Sequence, residues 1–313
     1  ADTLGVEANN LLLESGRLEP LHQLLQTATV SAGTDTIYLM GSYWLQFQDP
    51  SVQVVPSPVA NNYDDTFYFT GDDYPCISWS SVAFTEAPYP ATSYRLGVPA
   101  PANAPTIDTI NETADDAEEK IDIGYVYTFV TGDGREGPPS PVSTITYDVT
   151  DNQTQDITVP DTSLSGSNHN VSGAVKRIYR TNIGSGDARF QYVGEVALAV
   201  TEFSDTLRVS QLGETLPTTD WSGPPDDDSV TFPDGQLQGL CDMGHGILAG
   251  FTGHTLWFCE PYLPHAWPVK YTIPLGDDIV AIAPVSDGLV VGTTGRPVFI
   301  SGSDPLSLVD TRY

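Results

Sequence analysis

The stretch Gln236–Ser301 reads QLQGLCDMGHGILAGFTGHTLWFCEPYLPHAWPVKYTIPLGDDIVAIAPVSDGLVVGTTGRPVFIS and repeats itself. Three short apolar beats, Leu237–Cys241, Gly246–Gly250 and Thr255–Cys259, return as Ile279–Ala283, Gly288–Gly292 and Pro297–Ser301. Gly246 to Gly288 is 42 positions and Phe258 to Phe299 is 41. A period of about 40–45 residues with three or four short strands per unit is the spacing of β-propeller blades. Small apolar residues suit inner strands buried on both faces, and the glycines mark tight turns between neighbouring strands. An ordinary β-meander with similar hairpins would read the same way, since repeat architectures call for about three units.

Towards the N-terminus, Thr36–Gly41 (TIYLMG) and Tyr43–Gln48 (YWLQFQ) predict a hairpin folded at Gly41-Ser42. The phrase Asp35–Gly41 (DTIYLMG) recurs as Asp65–Gly71 (DTFYFTG), a 30-residue step that suggests further blade pieces. The two outer thirds of the chain are therefore expected to form one domain with something inserted between them. Pro99, Pro101 and Pro105 make a stiff outgoing linker, and Trp221–Asp228 (WSGPPDDD) a return linker. Between them Thr106–Ile110, Ile123–Thr131, Val142–Val149, Ile157–Pro160, Val175–Thr181, Phe190–Val196 and Thr201–Leu207 read as strands. Tyr125, Tyr127 and Phe129 alternate, as on a half-buried strand. Seven short alternating strands in about a hundred residues is a sandwich signature. The expected architecture is all-β. Residues 1–98 form a β segment with partial propeller blades, 99–222 an inserted immunoglobulin- or fibronectin III-like β-sandwich, and 223–313 propeller-like blade repeats. Within residues 1–30, Leu18, Leu21, Leu24 and Leu25 follow a helical spacing that Pro20 interrupts, which predicts mostly irregular chain with one turn of helix.

The chain has 313 residues, of which 41 are acidic and 12 basic, a formal net charge of −29. Lysine occurs only at Lys120, Lys176 and Lys270. This balance argues against gripping nucleic acid or an anionic membrane surface, both of which need basic patches. It fits equally a chain adapted to salt. Three cysteines (Cys76, Cys241, Cys259) do not make a disulfide framework. No apolar run approaches the ~20 residues of a membrane helix, and the polar N-terminus reads as no signal peptide. On that expectation the Asn-X-Ser/Thr triplets at Asn111, Asn152 and Asn170 are chance matches.

The phrases YVYTFVTGDGREGPPSP, VKRIYRT, FQYVGEV and TEFSDT resemble a fibronectin type III domain, with the Gly-Arg-Glu-Gly-Pro-Pro-Ser-Pro segment earlier than usual. YRLGVPAP, LGETLPTTDW, ILAGFTGHTLWFCEPYLPHAWP and VVGTTGRPVFISGSDP resemble tail-associated virion proteins of tailed phages, of which the nozzle proteins (tail tubular protein B) are propeller-containing analogues. The resemblance runs from about Gly16 to the end, although such proteins usually continue past the Ser-Gly-Ser-Asp-Pro phrase. It implies a structural virion component of the tail or head-to-tail region, assembled in the host cytoplasm. Its partners would be copies of itself in a symmetric ring and other tail or connector proteins, with DNA only as transiting cargo and no membrane.

Chemistry-bearing residues are few. Cys241, His245, His254 and Cys259 are all zinc-ligand types. However, Cys259 alternates with Trp257 on an apolar strand, and the histidines sit beside turn glycines at opposite ends of a hairpin. His265, in Pro264-His265-Ala266-Trp267-Pro268, lacks a nucleophile and an orienting carboxylate, so a packing or interface role is expected. The acid pairs Asp64-Asp65, Asp72-Asp73, Asp226–Asp228 and Asp277-Asp278 read as solvated turns, since neither the paired carboxylates of a glycosidase nor a calcium loop is spelled out. Gly132-Asp133-Gly134 lacks the third glycine and following helix of a phosphate loop. No catalytic, cofactor or metal residue is assigned, and no enzymatic activity is expected. The alternative reading is a propeller-based carbohydrate-binding or glycan-processing tail component; a cell-surface adhesion module is a third. The acidity further suggests a multimer around a conduit, with acidic turns exposed, some towards the lumen, and with Lys176, Arg177, Arg180 and Arg189 on the sandwich meeting acidic neighbours.

Overall fold

The computed structural model describes residues 26, 28–59, 65–115, 117–162, 164, 168–182, 189–286, 288–302 and 304–312, with the backbone alone of 11–12, 19–20 and 312. The leucines of the expected helical turn lie outside the described side chains. The backbones of β1 (Leu11–Leu12) and β2 (Glu19–Pro20) pair antiparallel. β3 (Thr36–Met40) and β4 (Tyr43–Phe47) form the expected hairpin, with Met40 opposite Tyr43 across the Gly41-Ser42 turn. An antiparallel four-stranded sheet follows, β5 (Gln53–Pro56), β6 (Thr66–Thr70), β7 (Cys76–Trp79) and β8 (Tyr94–Arg95), with the short α1 (Ser80–Ala83) after β7.

The middle of the chain holds β9 (Thr106–Asn111), β10 (Lys120–Ile123), β11 (Tyr125–Val130), β12 (Thr146–Thr150), β13 (Thr154–Thr158), β14 (Val175–Asn182), β15 (Arg189–Ala197) and β16 (Glu202–Asp205). They pair as β11-β14-β15, β16-β13-β9 and β10-β12. The chain ends in two more four-stranded meanders. One is β17 (Gln238–Gly244), β18 (Ile247–Thr252), β19 (Thr255–Phe258) and β20 (Thr272–Pro274). The other is β21 (Ile279–Val285), β22 (Gly288–Thr293), β23 (Val298–Ser301) and β24 (Val309–Arg312). The sequence repeat thus marks the first three strands of each sheet; the fourth, β20 and β24, falls on segments without a clear alternating pattern. All described sheets are antiparallel, and none closes on itself.

Alternation of side chains decides how the sheets stack, because successive residues on a strand point to opposite faces. Phe67, Phe69 and Cys76 face the β3–β4 hairpin, with Leu45 and Phe47. Tyr68 and Ile77, one position along, face the next sheet and pack with Leu240, Leu248, Cys259 and Trp267. Ile247, Ala249, Phe251, Leu256 and Phe258 lie on that sheet's other side, against Leu289, Val291, Val298 and Ile300 of the last. The result is a row of four layers, the β3–β4 hairpin and then the three meanders in chain order. The middle core joins residues 55–96 to residues 237–267, so the N-terminal and C-terminal thirds share one interior. The 30-residue phrase repeat corresponds to no equivalent placement. β3 pairs only with β4 and leaves Ile37 and Leu39 half exposed, whereas β6 is an inner strand, almost wholly buried.

The segment 106–216 has its own core around Tyr125, Tyr127, Ile157, Ile178 and Val193. β11 is buried along its whole length, not half-buried as its alternation suggests. Tyr125, Tyr127 and Phe129 face the main core, while Val126 meets Tyr179 and Leu216 in a second cluster on the other side. Segment 135–143 also runs along the free edge of β11, through Gly137 N–H to Phe129 O (2.9 Å), Ser140 to Tyr127 (2.8 Å) and Ser143 to Tyr125 (2.9 Å). Pro138, Pro139 and Pro141 have no N–H to give, so the ladder is incomplete there. The region expected as a strand from Val142 is regular only from Thr146.

Candidate functional site

The four zinc-type residues do not converge. Cys241 faces the core shared with the last sheet, and Cys259 the opposite core shared with Tyr68 and Trp267. His245 lies in the turn before β18 and His254 in the turn after it, a six-residue strand apart. Burial pushes both thiols up to about 12, and the Cys259 sulfur accepts the Leu248 N–H at 3.0 Å. Among the described residues no group of three or more His, Cys, Asp or Glu is arranged to hold a metal, and no helix is long and apolar enough to cross a membrane.

Of the basic residues expected to meet acidic neighbours in the middle segment, Arg177 and Arg180 do so, and two of the four are interior. Lys176 and Arg180 flank Ile178 on the inward face of β14 and are buried. Lys176 Nζ donates to the carbonyls of Val159 (2.8 Å) and Asp161 (3.0 Å), and desolvation takes its pKa down to about 8. Arg180 pairs with Asp205 at 2.8 Å, and the Tyr125 hydroxyl donates to the same carboxylate at 2.7 Å. Arg177, on the outward face, meets Glu136 at 2.9 Å and Glu195 at 3.4 Å. Alternation along β14 is the reason: Arg177 and Tyr179 point one way, Lys176, Ile178 and Arg180 the other.

Asp226–Asp228 is also more than a solvated turn. Asp227 takes a bidentate contact from Arg95 (2.6 and 2.9 Å) and Asp226 a third at 3.2 Å, while the guanidinium sits 3.8 Å over the Tyr74 ring. Asp228 accepts from Thr231 and the Val230 N–H. Gly97 and Gly223 lie in backbone contact, so the two linkers run side by side. Asp72, Asp73, Asp277 and Asp278 are exposed; Asp65 is exposed too and bonded to the Ser80 hydroxyl. Asp64 lies outside the described residues.

Two concave sites stand out. The first is a cleft of about 380 Å³ lined by the opening strands of the three meanders, with Ser51, Gln53, Gln238, Cys241, Val280 and Ile282. Those strands neighbour one another along the row, β17 between β5 and β21. Leu275 N–H bonds to His254 O (2.8 Å), Ile279 to Gly253 (2.9 Å) and Thr294 to Asp278 (2.9 Å). Gly71, at φ 98°, brings the β6–β7 turn onto the Ser51 backbone, where a Cβ would meet atoms at 2.7 Å. Asp72 and Asp73 follow Gly71 in this turn, Asp49 bonds to Ser51, Asp234 lies against Gly253 and Asp277 against Gly295, so acidic residues stand close to the start of each of these strands.

The second is a cleft of about 310 Å³ between the segment 106–216 and the row of sheets, walled by Tyr68, Trp79, Tyr262 and His265, with Asp133 and Arg135 from that segment. The Gly132–Gly134 turn delivers these last two. Arg135 is ion-paired to Asp133 and donates to the carbonyls of Arg95 (2.6 Å) and Leu96 (2.7 Å). His265 stands edge-on to Trp221, with ring centroids 5.8 Å apart. Its Nε2 is buried without a hydrogen-bond partner. Burial, then the nearby Arg135, takes its pKa down to about 4. The expected packing role of His265 thus holds in part, but one of its polar atoms is unspent. Tyr262 has the left-handed φ of 63°, uncommon for a bulky residue, and remains 57% exposed. Its ring covers Gly246, where a Cβ would meet ring carbon at 2.5 Å. Sequence reasoning missed Tyr262, Trp79 and Arg135 because nothing local links positions so far apart. Compared with known proteins, the chain matches no family model and no curated sequence.

Proposed function

We propose that the chain is a structural component of a tailed-phage virion, in the tail or head-to-tail region. Its three meanders act as blades of an incomplete propeller, with a fibronectin III-like sandwich, about residues 99–222, inserted between the first and second. Its work is subunit contact, without catalysis. The observation that carries this reading is the state of the two ends of the row. The outward face of the last sheet bears Val285, Val290 and Val309, 43%, 41% and 58% exposed, with Phe299 between them. The outward face of the β3–β4 hairpin bears Ile37 and Leu39, 52% and 50% exposed. Every inner face of the row is covered by the next sheet, and these two are apolar without a described cover. Copies meeting end to end would make heterologous contacts, which close into rings when the rotation permits. The acidic residues near the starts of the three opening strands support the conduit part of the reading: repeated around an axis they would face transiting DNA with carboxylates and offer few cations for counterion release. The salt-adaptation reading spreads acidity evenly instead, and a surface-potential map of the assembled particle separates the two.

Sedimentation velocity over a range of protein and salt concentrations tests the contact. Association is expected to strengthen with salt, because a charge of −29 per copy repels and the Debye length falls to about 10 Å at 0.1 M. Val285→Asp with Val290→Asp is expected to leave a folded monomer. A wild-type chain that stays monomeric throughout, or a variant that assembles as well as wild type, removes the support for this reading.

A further inference from the structure

We propose that the cleft between the sandwich and the row of sheets binds a neutral saccharide unit, held by hydrogen bonds to His265 and Asp133 and by contact with the rings of Trp79 and Tyr262. At about 310 Å³ the cleft is at the low end of ligand sites, roughly 300–1,000 Å³. Buried polar atoms are nearly always satisfied, so an orphaned one calls for a partner. A neutral imidazole nitrogen either donates or accepts, and a hydroxyl can meet it in both roles, so the unpartnered Nε2 suits a hydroxyl partner. With its pKa taken down to about 4, the imidazole is neutral at physiological pH. Asp133 accepts from Arg135 through both oxygens, and a carboxylate has room for further donors.

The charge of the site chooses among donors. The Asp133–Arg135 pair is neutral overall, and Arg135 spends its donors on Asp133 and two backbone carbonyls. An anion would find little free donor there and would approach a chain of charge −29; a cation would meet the guanidinium. A neutral ligand rich in hydroxyl donors fits. Aromatic walls suit such a ligand, because a sugar ring presents C–H groups to them. Trp79 is backed by Tyr94 at a centroid distance of 5.3 Å, which fixes its plane. Tyr262 is a bulky residue held at left-handed φ and exposed at the rim of the cleft; strained residues of this kind cluster at ligand clamps.

The test is saturation-transfer NMR and calorimetric titration of the full chain with D-glucose, D-galactose, D-mannose and N-acetyl-D-glucosamine. At least one is expected to bind, with ring protons receiving saturation. Tyr262→Gly removes the aromatic wall and relieves the φ strain, so it should fold at least as well as wild type and weaken binding at least about tenfold. His265→Phe keeps the ring volume and removes the ring nitrogens, with a similar loss; should it fail to fold, Tyr262→Gly decides. Val285→Asp with Val290→Asp should leave sugar binding unchanged, which separates this site from the assembly contact. No binding by any of the four sugars at tens of millimolar, or binding that Tyr262→Gly leaves intact, overturns the proposal, and the cleft then holds solvent only.

Discussion

Replacing Asp205 by Asn is the sharpest test of how the segment 106–216 holds its interior charges. Arg180 and Asp205 are 2% and 0% exposed at their side chains and 2.8 Å apart. The carboxylate also accepts from the Tyr125 hydroxyl at 2.7 Å and the Leu207 N–H at 3.0 Å, and Arg180 Nη2 donates to the Leu207 carbonyl at 3.0 Å. Asparagine has the same shape and accepts through one oxygen, but it leaves the guanidinium buried without a counter-charge. Removing one partner of a buried pair costs about 3–5 kcal/mol. Retained hydrogen bonds through the amide oxygen place the expected loss near the lower end, ~3 kcal/mol. That is a large part of the ~5–15 kcal/mol by which a domain is stable. Asp227→Asn serves as the control: its pair with Arg95 is half exposed, and about 1 kcal/mol or less is expected. Urea unfolding followed by near-ultraviolet circular dichroism measures both. The double variant Arg180→Met, Asp205→Leu should recover most of the loss, since apolar replacement of a buried pair is often neutral or better. A loss under about 1 kcal/mol for Asp205→Asn, or a double variant worse than the single one, would refute the reasoning.

Three further outcomes are expected. Because the folded pKa of His265 lies at about 4, below the ordinary 6.5, the unfolded chain takes up a proton first as pH falls; stability should drop by ~3 kcal/mol between pH 6.5 and 4, and His265→Phe should flatten that window in a pH series of thermal melts. Cys241→Ser with Cys259→Ser should cost ~1–3 kcal/mol in packing, and elemental analysis of wild type should find no stoichiometric zinc, since the two thiols face opposite sides of one sheet. Residues 102–217, excised, should unfold cooperatively, because their core is drawn almost wholly from within that range; a non-cooperative melt would move the boundary outward to include Val98, which packs against it.

Much of this molecule is local information. Period-two alternation and turn glycines mark β17 to β19 and β21 to β23 in the sequence, because strand formation there depends on neighbours two residues away. The same pattern does not reveal β20 and β24, short last strands that pair because a finished neighbour offers its edge. Nor does alternation tell whether the second face of a strand is covered. Tyr125, Tyr127 and Phe129 read as one buried face, yet Leu216 closes the other face and a proline-rich segment the free edge. Lys176 and Arg180 look like surface cations until their counterparts, the Val159 and Asp161 carbonyls and Asp205, are brought alongside. The zinc-type quartet is compact in sequence and dispersed in space, because a pleated sheet sends Cys241 and Cys259 to opposite sides. The cleft around His265 shows the converse. Tyr68, Trp79, Asp133, Arg135 and Tyr262 meet only once two linkers run side by side and lay the segment 106–216 against the row of sheets. Strand identity is a property of a few consecutive residues, whereas burial of charge and the walls of a cleft depend on which distant residues the folded chain brings into contact.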